Sequence, residues 1–269
     1  MATDLDGTFL RDDLSVSQRT REAVQAVRDL GIPVVPVTAR QPIGLRDLAD
    51  EAGFRSWAVC SNGGLVINLD TGHRLHEAEV SVAAQTALVE ALEGALPGCL
   101  YVSVRDGGDQ FVPVHGYGDV AALIDHKRDP LTMGGHSIGD VLALPSLKFI
   151  VRHPEVPVPE LLDVVHGLGL TGFGATHSGA PFVEIMPAGV SKATGLTRLC
   201  AELGIEQDEV LAFGDAPNDV EMVGWAGHGV AVANAAPQVR EAAAEITGSN
   251  TDDGVAQVLE RLAASGGSL

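Results

Sequence analysis

The residues with the clearest chemical potential stand at the start of the chain, where Asp4 and Asp6 flank Leu5 and are followed by Gly7 and Thr8. At the end of a strand, residues two apart leave the same face with side chains about 7 Å apart, so both carboxylates can address one ligand. Gly7 permits a tight turn straight afterwards. That turn sets the pair at the carboxyl edge of a sheet, where open α/β folds bind ligands. Asp and Gly are also the commonest turn formers, so the pair alone is as compatible with a strand-to-turn junction as with catalysis. A calcium-binding loop starting at Asp4 is excluded. It needs Gly at its sixth place and Glu at its twelfth, and Phe9 and Ser15 stand there.

A second acidic cluster, Gly214-Asp215-Ala216-Pro217-Asn218-Asp219, follows the apolar run 210–213 and precedes a helical pattern. Oxygen ligands from Asp4, the Asp6 carbonyl and Asp215 could converge on a hard cation such as Mg²⁺, leaving room for waters and a phosphate. Asn218 or Asp219 can equally cap the helix that follows. Lys192, after Gly189-Val190-Ser191, falls at an expected helix N-terminus, where the macrodipole disfavours a cation. A bound phosphate would reverse that argument. The alternative is a solvated surface lysine, although the chain has only Lys127, Lys148 and Lys192. Thr38-Ala39-Arg40 follows the run 32–37, so the Thr38 hydroxyl and nearby amides could meet phosphate oxygens, or Thr38 could simply end a strand. His73 and His76 would point to opposite faces of a hairpin arm rather than share a metal. Arg105, His115, Tyr117 and His136 are polar groups that could reach a substrate or stay solvated.

The elements that must position these residues follow from periodicity. Ala23, Val24, Val27 and Leu30 recur at helical spacing across 17–30, with Gly31 placed to end the helix. The valine-rich run 32–37 suits a strand covered on both faces. A helix over 45–52, a strand over 57–60 and a hairpin over 65–75, turning at Asp70-Thr71-Gly72, follow. The middle differs: a helix over 82–96, strands over 100–104, 111–114 and 147–151, a helix over 159–168, and strands near Thr171 and over 182–186. This pattern predicts an α+β insert with its own sheet. From Lys192 the α/β alternation resumes with a helix over 192–203, a strand over 210–213, a helix over 219–225, a strand over 229–232 and further helices.

Composition narrows the function. The chain has 269 residues, 45% apolar and 20% charged, with a net charge of -19. Nucleic acid is excluded as a partner because polyanion binding draws on clustered Lys and Arg. An anionic small molecule would need locally placed positive charge and a metal. Cys60, Cys99 and Cys200 are odd in number and widely spaced, which predicts reduced core thiols and a cytoplasmic protein. No apolar run reaches the length of a membrane span, and acids stand where a signal peptide would carry basic residues. Disorder is expected only in the tail 263–269.

In order, Asp-x-Asp-Gly-Thr, a strand-end Thr, a helix-start Lys and Gly-Asp-x-x-Asn-Asp resemble the four motifs of the haloacid dehalogenase superfamily. Ser61-Asn62-Gly63, Gly189-Val190-Ser191-Lys192, the insert between Thr38 and Lys192, and 231–235 with 249–255 are similar to the Cof-type, class IIB phosphatases. The resemblance implies an α/β fold: a Rossmann-like parallel-sheet core of residues 1–79 and 182–269. Into it is inserted an α+β C2-type cap, 80–181, that closes over the active site and selects the substrate. It further implies that Asp4 attacks phosphorus to give an aspartyl phosphate, while Asp6 protonates the leaving oxygen and then deprotonates a water. Mg²⁺ would be held by Asp4, the Asp6 carbonyl and Asp215, with Asp219 supporting its waters. Thr38, Ala39, Lys192 and Asn218 would bind the phosphate of a small metabolite such as a sugar phosphate.

Three departures stand out. Ala39 replaces a frequent Gly, and Pro217 resembles sugar-phosphate phosphatases of the mannosylphosphoglycerate type. Only residues 1–3 precede Asp4, which predicts a short supporting strand and reduced turnover. A silent sensor of phosphorylated metabolites and a phosphosugar mutase are the competing readings. A sensor has no need of the second carboxylate, Asp6.

Overall fold

The computed structural model describes residues 1–126 and 128–267; Lys127, and Ser268 and Leu269 of the tail expected to be disordered, lie outside them, as do the side chains of Arg46 and Asp47. The valine-rich runs pair into a parallel sheet of order Glu245–Ile246, His228–Ala231, Leu211–Gly214, Ala2–Thr3, Val35–Pro36. Ala2 lies between Ala212 and Val35, and Thr3 between Phe213 and Pro36. The ladder continues through the Asp4 N–H, which donates to the Phe213 carbonyl at 3.0 Å, and the Val37 N–H, which donates to Thr3 at 2.8 Å. Asp4 therefore leaves the sheet between its two neighbours, at the carboxyl edge.

Helices cover the sheet because their apolar stripes need burial. The helix Gln18–Asp29 buries Ala23, Val24 and Val27 and is capped by Ser17, whose hydroxyl accepts from the Thr20 N–H. It packs against the helix Gly254–Ala264. The helix Lys192–Leu203 buries Leu196 and Leu199 against Ala2, Val35, Val37 and Val59. Trp57–Cys60 opens a small sheet with Leu65–Asn68 and Arg74–Glu77, linked to the main sheet by a bridge from Val37 to Val59. The unit so formed comprises Met1–Ala39, Leu45–His76 and Ser191–Leu269.

A second unit takes Arg40–Gly44 and Glu77–Val190. Its antiparallel sheet has the order Gln110–Pro113, Leu100–Arg105, Lys148–Arg152, Val183–Pro187, Phe173–Thr176. Alternation along the strands makes two cores. Tyr101, Phe149, Val151, Val183 and Ile185 pack with Leu88, Leu92, Leu161 and Val165 of the helices Val82–Ala95 and Val158–Gly167. On the other face Val102, Val104 and Ile150 pack with Tyr117, Met133 and Phe182.

The boundaries differ from those expected at 79/80 and 181/182. Val183–Pro187 is an interior strand of the second sheet, paired on both sides, so it cannot belong to the core. The strand expected near Thr171 runs Phe173–Thr176, and the run 32–37 yields only Val35–Pro36 as strand. No element was expected over 115–146, where Tyr117–Val120, Leu123–His126 and Ile138–Val141 are too short to show a period. The tail begins inside a helix that runs to Ala264. Cys60, Cys99 and Cys200 are buried free thiols. Among the described residues no helix is long and apolar enough to cross a membrane.

Candidate active site

Beyond Asp4 the chain folds back on itself. The Leu5 carbonyl accepts the N–H groups of Thr8, Phe9 and Leu10 at 3.3, 3.1 and 2.9 Å, while the side chains of Leu5 and Leu10 anchor the turn in the core. Gly7 has φ +85°, and a Cβ there would lie 2.6 Å from Asp215 Oδ2. Only glycine lets the turn lie this close to the second acidic cluster. The Thr8 hydroxyl completes the contact by donating to Asp215 Oδ1 at 2.7 Å.

Asp219 closes the turn that follows Leu211–Gly214. Its Oδ2 accepts the N–H groups of Asp215 and Ala216 at 3.1 and 3.0 Å, so it caps its own turn rather than the helix Val220–Trp225. Lys192 Nζ donates to Asp4 Oδ1 and to Asp219 Oδ1, both at 2.6 Å. Lys192 is 1% exposed, which rules out a solvated surface lysine. It occupies the first position of its helix, behind Ser191, which shares reciprocal capping bonds with Thr194. Two buried carboxylates outweigh the unfavourable end of the macrodipole.

The electrostatics of this group are unbalanced. Asp4, Asp215 and Asp219 each offer an oxygen, and these atoms lie within 4.8 Å of one another. Burial pushes the Asp4 carboxyl well above the ordinary carboxylate range, with Lys192 opposing and the neighbouring Asp219 and Asp215 reinforcing the shift. Burial also raises Asp215, against the hydrogen bond from Thr8. For Lys192 burial alone would lower the value, but the charges and hydrogen bonds of Asp219 and Asp4 raise it. Three carboxylates against one ammonium leave an excess of negative charge that a hard divalent cation would neutralise, and an all-oxygen donor set suits Mg²⁺ chemistry. Asp219 has both oxygens engaged, Oδ1 by Lys192 and Oδ2 by two amides. It therefore fits a supporting place better than a direct ligand, whereas Asp4 and Asp215 each have a second oxygen to offer.

Thr38 and Asn218 converge on Asn62. The Thr38 N–H donates to Val59, and the Thr38 carbonyl accepts from the Asn62 N–H at 3.0 Å. Asn218 Nδ2 donates to Asn62 Oδ1 at 2.9 Å. Ser61, Asn62 and Gly63 all have positive φ, at 50°, 53° and 95°. Such strain persists only where the surroundings impose it, and it clusters at functional sites. Among the described residues the Ser61 hydroxyl and Asn218 Oδ1 are buried without a hydrogen-bond partner, an uncommon condition in a folded protein. Asn218 Nδ2 gives one of its two N–H donors to Asn62, so the second is the one that the expected contact with phosphate oxygens would use.

Asp6 lies in the turn, bridged to Leu10, and Ala39 is half-buried at the edge of the core unit. Tyr117, expected either to reach a substrate or to stay solvated, is instead fully buried, with its hydroxyl 2.7 Å from His126 Nε2. Arg105 is also buried: it donates to the Ser103 hydroxyl at 2.7 Å and to the carbonyls of Asp140 and Val141, so it fastens the helix Ile138–Val141. His115 is exposed and His136 half-buried, and their backbones are bonded to each other. Thr8 and Asn62 belong to the Asp-x-Asp-Gly-Thr and Ser61-Asn62-Gly63 motifs, but their partners lie more than 150 residues away in sequence.

Comparison with known proteins gives the family and the fold. The haloacid dehalogenase-like hydrolase family matches residues 1–108 and 166–259. The putative phosphatase YxeH of Bacillus subtilis is 32% identical over 272 residues, which span 97% of both chains. The pyridoxal phosphate phosphatase YbhA of Escherichia coli is 28% identical over 270 residues and 96% of each chain. A solved haloacid dehalogenase-like hydrolase from Bacteroides thetaiotaomicron has a TM-score of 0.78 at 28% identity, covering 97% of this chain and 98% of that one. The subclass IIB sugar phosphatase BT4131 shares the fold, with a TM-score of 0.81 at 18% identity over 97% of each chain.

Proposed function

The chain belongs to the haloacid dehalogenase-like hydrolases, as a phosphatase of the Cof type, class IIB, and from that premise we propose that it hydrolyses small phosphomonoesters with Mg²⁺ through an aspartyl phosphate on Asp4. Sugar phosphates and similar metabolites are the substrate class. The observation that carries this reading is the Lys192 ammonium 2.6 Å from both Asp4 and Asp219, beside Asp215. A site meant only to hold a phosphate would gain nothing from three carboxylates, which repel it. As a nucleophile and a cation site they have work to do.

The roles follow from position. An Asp4 oxygen attacks phosphorus in line with the leaving oxygen. Lys192 remains tethered to Asp219 as its contact with Asp4 gives way to phosphate, so its charge stays where negative charge develops. The Thr38 hydroxyl and the Ala39 amide meet the remaining phosphate oxygens, and Asn218 Oδ1 accepts from a water of the site. Asp6 donates a proton to the leaving oxygen, then takes one from the water that cleaves the aspartyl phosphate. Bound by Asp4, the Asp6 carbonyl and Asp215, Mg²⁺ would supply the positive charge that offsets repulsion between carboxylate and phosphate.

Two relatives carry names of this substrate class: YbhA acts on pyridoxal phosphate, and the Bacillus subtilis protein YwtE on 5-amino-6-(5-phospho-D-ribitylamino)uracil. Phosphate release from a panel of phosphomonoesters with Mg²⁺ tests the proposal, with Asp4→Asn as control. Release by the wild type and none by the variant is expected. Robust turnover by Asp4→Asn would sink the reading; binding without turnover would favour a sensor, and transfer to a sugar hydroxyl a mutase.

A further inference from the structure

Two asparagines from the last quarter of the chain grip the turn that carries Asp6. Asn234 Nδ2 donates to the Gly7 carbonyl at 2.7 Å. Asn250 Nδ2 donates to the Leu10 carbonyl and to Asp12 Oδ1, both at 3.0 Å. The Asn250 N–H donates to Asn234 Oδ1 at 3.0 Å, which ties the two together. Asn250 is 6% exposed, whereas Asn234 is exposed. An ion pair from Arg11 to Asp253 at 2.8 Å fastens the chain just beyond.

The grip meets the turn on either side of its softest point. Gly7 follows Asp6 directly with φ +85°, and glycine resists displacement less than any other residue. Asp6 forms a bridge with Leu10, so fixing the Leu10 carbonyl fixes the Asp6 backbone as well. Both target groups are carbonyls, which only accept, so the clamp requires a donor. An Asn amide supplies one where an Asp carboxylate would repel.

We propose that Asn234 and Asn250 are positioning residues for Asp6, holding its carboxyl where it can protonate the leaving oxygen. The proposal rests on the phosphatase reading above. In the first step a bond forms from an Asp4 carboxylate oxygen to phosphorus, the bond from phosphorus to the leaving oxygen breaks, and the Asp6 proton passes to that oxygen. An alkoxide leaving group needs that proton, whereas 4-nitrophenolate departs without it. General acid catalysis demands hydrogen-bond reach, so a turn displaced by less than an ångström loses it.

The test is kcat/KM, which reports the steps through phosphoryl transfer to Asp4, on a hexose 6-phosphate and on 4-nitrophenyl phosphate. Wild type, Asn234→Ala, Asn250→Ala and Asp6→Asn are compared, with thermal unfolding recorded for each. Asn234→Ala should lose about tenfold or more on the hexose phosphate but no more than about threefold on the aryl ester, the direction Asp6→Asn takes further. An equal loss on both esters, or no loss, would overturn the proposal. Asn234 is exposed, so its variant decides the matter even if Asn250→Ala fails to fold. Should the wild type cleave neither ester while binding them, the phosphatase reading itself falls, and this proposal with it.

Discussion

Lys192 Nζ lies 2.6 Å from Asp4 Oδ1 and 2.6 Å from Asp219 Oδ1, and all three side chains are at most 7% exposed. The ammonium is thus held between the carboxylate proposed as nucleophile and one proposed only to support the site. That arrangement explains a lysine at the first position of a helix, and it makes the core's stability depend on the site.

Removing that ammonium leaves carboxylates buried without their counter-charge. Lys192→Met should cost about 3–5 kcal/mol in the metal-free protein, read by urea denaturation. Saturating Mg²⁺ should recover part of the loss because it binds only the folded state. An unchanged metal-free stability would show that the bridge is not formed in solution.

Burial holds the Asp4 and Asp215 carboxyls above their ordinary range, so a divalent cation competes with protons for them. Mg²⁺ affinity should fall as pH drops from neutral, at pH values above those of free carboxylates. Calorimetry in buffers of differing ionisation enthalpy should detect proton release. For the metal-free protein the sign is the reverse: the folded state binds protons more readily than the unfolded one, so folding gains stability as pH falls through the raised values. Affinity that rises on acidification would contradict the shift.

His126, stacked on Phe182 with centroids 4.7 Å apart, is held down to a pKa of about 3, chiefly by burial. Its folded value is lowered, so its contribution is complete above about 6.5 and is lost as pH falls toward 3. The expected slope is about 1.4 kcal/mol per pH unit. Both tyrosines, Tyr101 and Tyr117, sit in the second unit, and both tryptophans, Trp57 and Trp225, in the first. On acidification the tyrosine near-ultraviolet signal should therefore fade before tryptophan fluorescence changes. His126→Phe should remove most of the difference.

Gly63 has φ +95°, and a Cβ there would meet the Ser191 carbonyl oxygen at 2.0 Å, just before Lys192. Gly63→Ala should cost at least about 2 kcal/mol through strain and displacement of that helix start. Gly72→Ala, also at positive φ but with nothing within 4 Å, carries only the strain. Equal stabilities of the two variants would argue against the close approach.

Much of this was legible in the sequence because it was periodic or local. The runs at 57–60 and 192–203 matched their elements because apolar spacing and flanking Ser or Gly mark both ends. Asp4, Asp215, Asp219 and Lys192, proposed as one site, do meet in space. What escaped depends on long-range pairing. Val183–Pro187 reads as a strand, but only its partners reveal which sheet it joins. Asn62, Asn234 and Asn250 look like turn residues until the carbonyls and amides they bond, up to 240 residues away, are known. Tyr117 and Arg105 are polar residues in a short-element region, where no period could signal burial.

The central claim is that phosphorus passes through Asp4. Wild-type protein turning over a radiolabelled phosphomonoester with Mg²⁺, quenched in acid within the first turnovers, should carry label on the peptide containing Asp4, and Asp4→Asn should carry none. Steady turnover with no label on that peptide, or hydrolysis by Asp4→Asn at the wild-type rate, would contradict it.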